Sequence, residues 1–128
     1  MYLRFVVNDI DEDSGLERGI VQAMYLLWRA GRLAPHEEAW WADVRSWFNL
    51  ELEKPERLAR SRRPGAKQRA VSWFKSTATE HITRAREVAA ILAQHDVPSR
   101  MLRTERPGYI VYEDEFQVTA EPFRRELQ

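Results

Sequence analysis

Apolar residues recur at spacings of three and four along Val71, Phe74, Ala78, Ile82, Ala85, Ala89 and Leu92. That is the stripe an amphipathic helix turns toward a core. One unbroken helix over 66–94 would be about 45 Å long at ~1.5 Å per residue, long for a domain of this size. Thr77 with Glu80 has the T-x-x-E form of a capping box, so a second start is available inside the run. The pattern predicts a short helix before Lys75, a break near Ser76 and a main helix over 78–95, ended by the 96–98 segment.

Residues 3–7 are β-branched and aromatic and predict a buried strand, closed by an acidic turn at 8–13. Ser14 with Glu17 has the form of a capping box, and Leu16, Ile20, Ala23, Met24 and Leu27 mark one face of the helix it would start. Gly31 suits a left-handed residue just past the helix end. Pro35 suits a first helical position, with Glu37 and Glu38 near the positive end of the dipole. At about 100° per residue, Trp40, Trp41, Val44, Trp47 and Phe48 fall in an arc of roughly 120°, a core face. The short connection predicts an antiparallel helical hairpin. Pro55 and Pro64-Gly65 punctuate the 50–65 stretch. Residues 99–104, 109–113 and 116–120 predict strands. A type II turn is expected at Pro107-Gly108, and an acidic tip at Glu113, Asp114 and Glu115. The expected fold is α+β. A small, mainly antiparallel sheet, made of the N-terminal strand and C-terminal hairpins, carries three or four helices on one face. The expected organisation is a single domain over 1–128, with a basic internal loop at 54–69 whose order the sequence leaves open.

Charge changes this picture locally. Twenty Lys and Arg balance twenty Asp and Glu, so no global field points to nucleic acid or a membrane. Yet residues 54–75 hold eight cations and one acid, a local charge of +7 that the remainder offsets. If the backbone around it is helical, Trp73 faces away from Phe74 and Ala78, exposed among Arg and Lys. That arrangement suits an anionic, flat ligand or an acidic protein surface. The candidate contacts are Arg60, Arg62, Arg63, Lys67, Arg69 and Lys75, with Trp73 as anchor. The plainer alternative is a solvated loop that pairs with the chain's own acidic ends.

Other chemistries find less support. The chain has no cysteine, which removes disulfides and thiolate sites. Its start is too short and too soon acidic for a signal peptide, and no apolar run is long enough for a membrane span, so a cytoplasmic protein is expected. Asp9, Asp11, Asp13 and Gly15 open like a calcium loop, but the sixth and twelfth positions are Ser14 and Ile20 in place of Gly and Glu. His36, His81 and His95 lack metal-ligand spacing. There is no nucleophile elbow, Walker loop or G-x-G-x-x-G. Neither a metal nor a cofactor is expected.

Two resemblances add to the residues. Arg4, Ser76-Thr77 and Glu113-Asp114-Glu115 loosely resemble the Arg, Ser-Thr-Ser and Glu-x-Glu order of ADP-ribosyltransferases. That resemblance implies NAD phosphates held by Arg4 and a ribose polarised by Glu115. The strings MYLRFVV, WFN at Trp47, SWFK at Ser72 and RPGYIVYEDEFQVTAEPF resemble a group of small uncharacterised bacterial proteins. This one spans most of the chain and implies one intact domain, with no activity attached. The leading expectation is a non-enzymatic binding or regulatory module. It would meet an acidic protein partner or nucleic acid through the 57–75 surface, with a homo-oligomer open and no membrane involved. The alternative is an NAD-using ADP-ribosyltransferase-like enzyme.

Overall fold

The computed structural model describes residues 1–53 and 69–123. They form an α+β fold, with six strands and three helices among the described residues: β1 (Tyr2–Ile10), β2 (Glu17–Gly19), α1 (Ile20–Arg29), α2 (Pro35–Glu51), β3 (Val71–Lys75), α3 (Thr79–Gln94), β4 (Ser99–Thr104), β5 (Tyr109–Glu113) and β6 (Gln117–Glu121). Every pairing between described strands is antiparallel. No helix among the described residues is long and apolar enough to cross a membrane.

β1 is the hub of the sheet. Along one edge it pairs with β4 from Tyr2 to Val7. Along the other it pairs with β3 only at Tyr2 and Leu3, and with β2 at Val6 and Ile10. β3 continues the sheet through β6 to β5. On that second edge Arg4 and Phe5 therefore have no strand beside them.

Alternation along β1 sorts its side chains. Leu3, Phe5 and Val7 join Ile20 and Met24 of α1, Trp41, Val44 and Phe48 of α2, and Ile82, Ala85, Val88 and Leu92 of α3 in one core. The three helices thus cover one face. Arg4 and Val6 point to the other face. By the register, so do Trp73, Val118 and Ala120, all buried.

Several local expectations need correction. Residues 71–75 are a strand and not a short helix. Val71 and Phe74 fit a helical spacing, but both pair with β6 as a strand, Phe74 also with β1, and tertiary pairing overrides local period. Ser14 and Glu17 form no capping box. The Ser14 hydroxyl accepts the Leu16 N–H at 3.2 Å, while Glu17 lies in β2. Helix α1 starts later, at Ile20, with no side-chain cap. It ends as the sequence suggests, with Gly31 at φ +72° and the Arg32 and Gly31 amides donating to the Leu27 and Trp28 carbonyls. α1 lies closest to α3; a guanidinium contact, Arg45 over the Trp28 ring at 4.3 Å, joins it to α2. Gly108 has φ +139°, beyond the range of a type II turn.

Ties between elements are polar. The Glu37 carboxylate accepts from the Ala34 N–H at 2.9 Å and from His95 Nε2 at 3.0 Å, joining the start of α2 to the end of α3. His81, buried between Trp47 and Phe116, donates from Nε2 to the Glu51 carbonyl at 2.7 Å.

Candidate functional site

Where β1 and β3 part, a cleft of about 650 Å³ opens. That volume is in the range of small-molecule sites. One wall is Arg4 and Phe5 of β1, and the opposite wall is residues 70–74 of β3 and its approach. The first turn of α1 (Ile20, Val21, Gln22) closes one end. Trp41, Arg45, Phe48 and Leu52, on and just after α2, form the floor. The cleft exists because β3 leaves β1 after Phe74 and β2 does not reach past Val6.

Its electrostatics centre on Arg4. The side chain is 7% exposed. Among the described residues its guanidinium makes one hydrogen bond, Nη2 donating to the Glu17 carbonyl at 2.6 Å. A guanidinium carries five N–H donors, so most of its capacity is unused. Burial pulls its pKa down to about 10, opposed by the fields of Glu17 and Asp11, and it stays charged at neutral pH. No carboxylate among the described residues lies within ion-pair distance of it. Those two acids are engaged by other cations: Arg18 reaches Asp9 at 2.7 Å and Asp11 at 3.7 Å, and Arg100 pairs with Glu17.

The N-terminus of α1 adds to this field. Gly19 is its N-cap, with no side chain to accept the free amides and no acid in the first turn. A Cβ placed on Gly19 would stand 4.0 Å from Arg4 Nη2, so the helix start and the guanidinium meet at one point. Two indole N–H groups on the walls, Trp41 Nε1 and Trp73 Nε1, are buried without an acceptor among the described residues. Asp11 and Glu53 at the rim are the opposing charges.

The residues singled out in the sequence fall elsewhere. Arg60, Arg62, Arg63 and Lys67 lie outside the described residues. Arg69 pairs with the buried Glu121 at 3.3 Å, and Lys75 with Glu113 at 2.7 Å. Trp73 is not an exposed helical anchor. It sits in the middle of β3, 8% exposed and opposite Val118. It does reach the cleft, through strand pairings that no local pattern announces. The ADP-ribosyltransferase-like set is divided. Arg4 lines the cleft between β1 and β3, whereas Asp114, Glu115 and Glu51 line an adjoining acidic cleft, which shares Asn49 and Glu53 with the first. Ser76 and Thr77 occupy the turn before α3, on neither lining. No group of three or more His, Asp or Glu among the described residues is placed to hold a metal ion.

Comparison of the chain with family models, curated proteins and solved structures finds no match. The site therefore rests on its own geometry. One sequence signal pointed toward it: an Arg between Leu3 and Phe5 in an otherwise apolar strand. A buried cation with no partner nearby in sequence is a functional hint, since burial of an unpaired charge is costly.

Proposed function

We propose that the protein is a non-enzymatic binding module whose site is the cleft between β1 and β3, and whose ligand is a small organic molecule held by an anionic end. The carrying observation is Arg4: a buried, charged guanidinium with one neutral acceptor, set against an uncapped helix start on the wall of an open cleft. Each of these favours a negative group at the same place. Around it the walls are apolar, with Phe5, Ile20, Phe48, Leu52 and Phe74 available to cover an uncharged body.

The test is a thermal-shift screen of small carboxylates, phosphates and sulfonates against the wild type and Arg4→Met. The methionine keeps the unbranched stem and removes the charge. Some anions should raise the wild-type melting temperature and leave that of the variant unchanged. If no anion raises it, or if the variant responds equally, the cleft is not an anion site.

A second reading keeps the charge of +7 over 54–75 as its support, with an acidic protein or nucleic acid as partner. Its signature is a steep loss of affinity with salt for labelled oligonucleotides. Retained binding after Arg62→Glu with Arg63→Glu would count against it.

A further inference from the structure

We infer that the ligand class of the cleft is an apolar monocarboxylate: one carboxylate on an uncharged aliphatic or aromatic body. This rests on the reading of the cleft as an anion site and names the head group and the tail. Three observations select the class.

First, charge is counted one for one in a desolvated site. The cleft offers one buried cation, Arg4, with the partial positive end of α1 beside it; the other cation on its lining, Arg45, is half-buried and turned over the Trp28 ring. Asp11 faces the same space and acts on Arg4, and the field of Glu17 reaches it as well. A dianion such as a phosphate monoester would leave one charge unmatched and would be repelled by both acids. A single negative charge is balanced.

Second, the geometry of the donors suits a planar acceptor. A guanidinium fork binds a carboxylate through two parallel N–H bonds. Its nitrogens not used by the Glu17 carbonyl remain for this. The α1 amides approach from the side where Gly19 brings the backbone near Arg4 Nη2.

Third, the tail has a defined place. Away from Arg4 the cleft is bounded by Phe48, Leu52 and Phe74 on one side and by Ile20 and Val21 on the other. At the mouth Val21 and Tyr25 are exposed apolar surface, which a projecting tail would cover.

The experiment is isothermal titration calorimetry of the full chain at pH 8 with decanoate, decanol and decyl phosphate. Tryptophan emission is a second readout, because Trp41 and Trp73 wall the cleft. Decanoate should bind roughly 10- to 100-fold tighter than decanol, the worth of a charge-assisted hydrogen-bond pair, and tighter than decyl phosphate. Arg4→Met should erase the preference for decanoate and keep the affinity for decanol. Should that variant fail to fold, the three wild-type affinities decide the matter alone. Decanol binding as tightly as decanoate overturns the carboxylate and leaves the cleft as a site for apolar ligands. Decyl phosphate binding more tightly overturns the single charge and leaves the anion site standing. If none of the three binds, the ligand class falls, and the screen described above decides separately whether any anion uses the cleft.

Discussion

Replacing Gly19 with Asp should place a carboxylate where the ligand's head group is inferred to sit. The backbone there has φ −67° and ψ 153°, an extended conformation open to any residue, so the change imposes no strain. Its Cβ would meet only Arg4 Nη2 and the Phe5 carbonyl oxygen, both at 4.0 Å, an ordinary contact distance. Three gains follow. Losing the glycine's freedom in the unfolded chain is worth about 0.4–1 kcal/mol. A side chain accepting the free amides of α1 adds a few tenths over glycine. A charge-assisted bond to Arg4 adds about 1.5 kcal/mol, reduced by desolvation of the new carboxylate. The sum is about 2 kcal/mol. With an unfolding entropy of ~2.1 cal/mol/K per residue, a 128-residue chain should melt about 7 °C higher. Gly19→Asn separates the terms, because it caps the helix without the charge; it should keep about half of the gain. The charge-dependent half is present above the unfolded pKa of an aspartate and lost as pH falls through its depressed folded value. So the advantage of the Asp variant over the Asn variant should vanish in acid. The Asp variant should also lose decanoate binding. Calorimetric melting at pH 7 and pH 3 reads all of this. A melting temperature equal to or below that of the wild type would mean that Arg4 and the start of α1 do not share one field.

Gly108→Ala forces a Cβ to within 2.2 Å of the Glu121 carbonyl oxygen at φ +139°; it should cost at least about 3 kcal/mol in urea unfolding, and a loss under 1 kcal/mol would show that the β5–β6 corner yields. His81→Phe keeps the ring between Trp47 and Phe116 but leaves the Glu51 carbonyl without its donor; about 1–3 kcal/mol should be lost, read from the urea midpoint. Asp114 is pushed up by burial, but donors at the Phe116 amide, the Gln117 side chain, the Tyr112 hydroxyl and the Gln117 amide hold it below the usual aspartate range. Its stabilisation is in place above the unfolded pKa and lost as pH falls through the folded one. Asp114→Asn should therefore be less stable at pH 7 and lose less between pH 5 and pH 2; equal acid slopes would refute that role.

The elements that can be read from the residues alone are those whose local period and final environment agree. α3 is sixteen residues with a repeated apolar stripe: Ile82, Ala85 and Leu92 of that stripe are buried, while Val88 takes the buried position beside the half-buried Ala89. β1, the Pro35 start of α2 and the β5–β6 hairpin are similar cases. The two strands that escape the pattern, β2 and β3, are three and five residues long. Over so few residues the spacing between Val71 and Phe74 suits either structure. What decides is the pairing of Leu3 with Phe74 and of Trp73 with Val118, between segments far apart in the chain. β2 is held in a similar way by remote groups, through Arg4 on the Glu17 carbonyl and Arg100 on the Glu17 carboxylate.

The same distance hides the site. The +7 segment is conspicuous because charge is counted along the sequence. Its described members Arg69 and Lys75 turn out to pair with Glu121 and Glu113 inside the fold. Arg4 is inconspicuous because its meaning comes from what does not accompany it. β4 covers its far edge, β3 departs after Leu3, and β2 joins only at Val6, so a stretch of β1 edge stays open between them. Extending β3 along β1 by two residues would fill the cleft and bring a strand against the guanidinium. A fold under selection for stability alone would gain from closing that edge, or from an aliphatic residue in place of a buried, underused arginine. Keeping both the open edge and the charge is the combination a ligand site needs, and among the described cations Arg4 has it where the paired Arg69 and Lys75 do not.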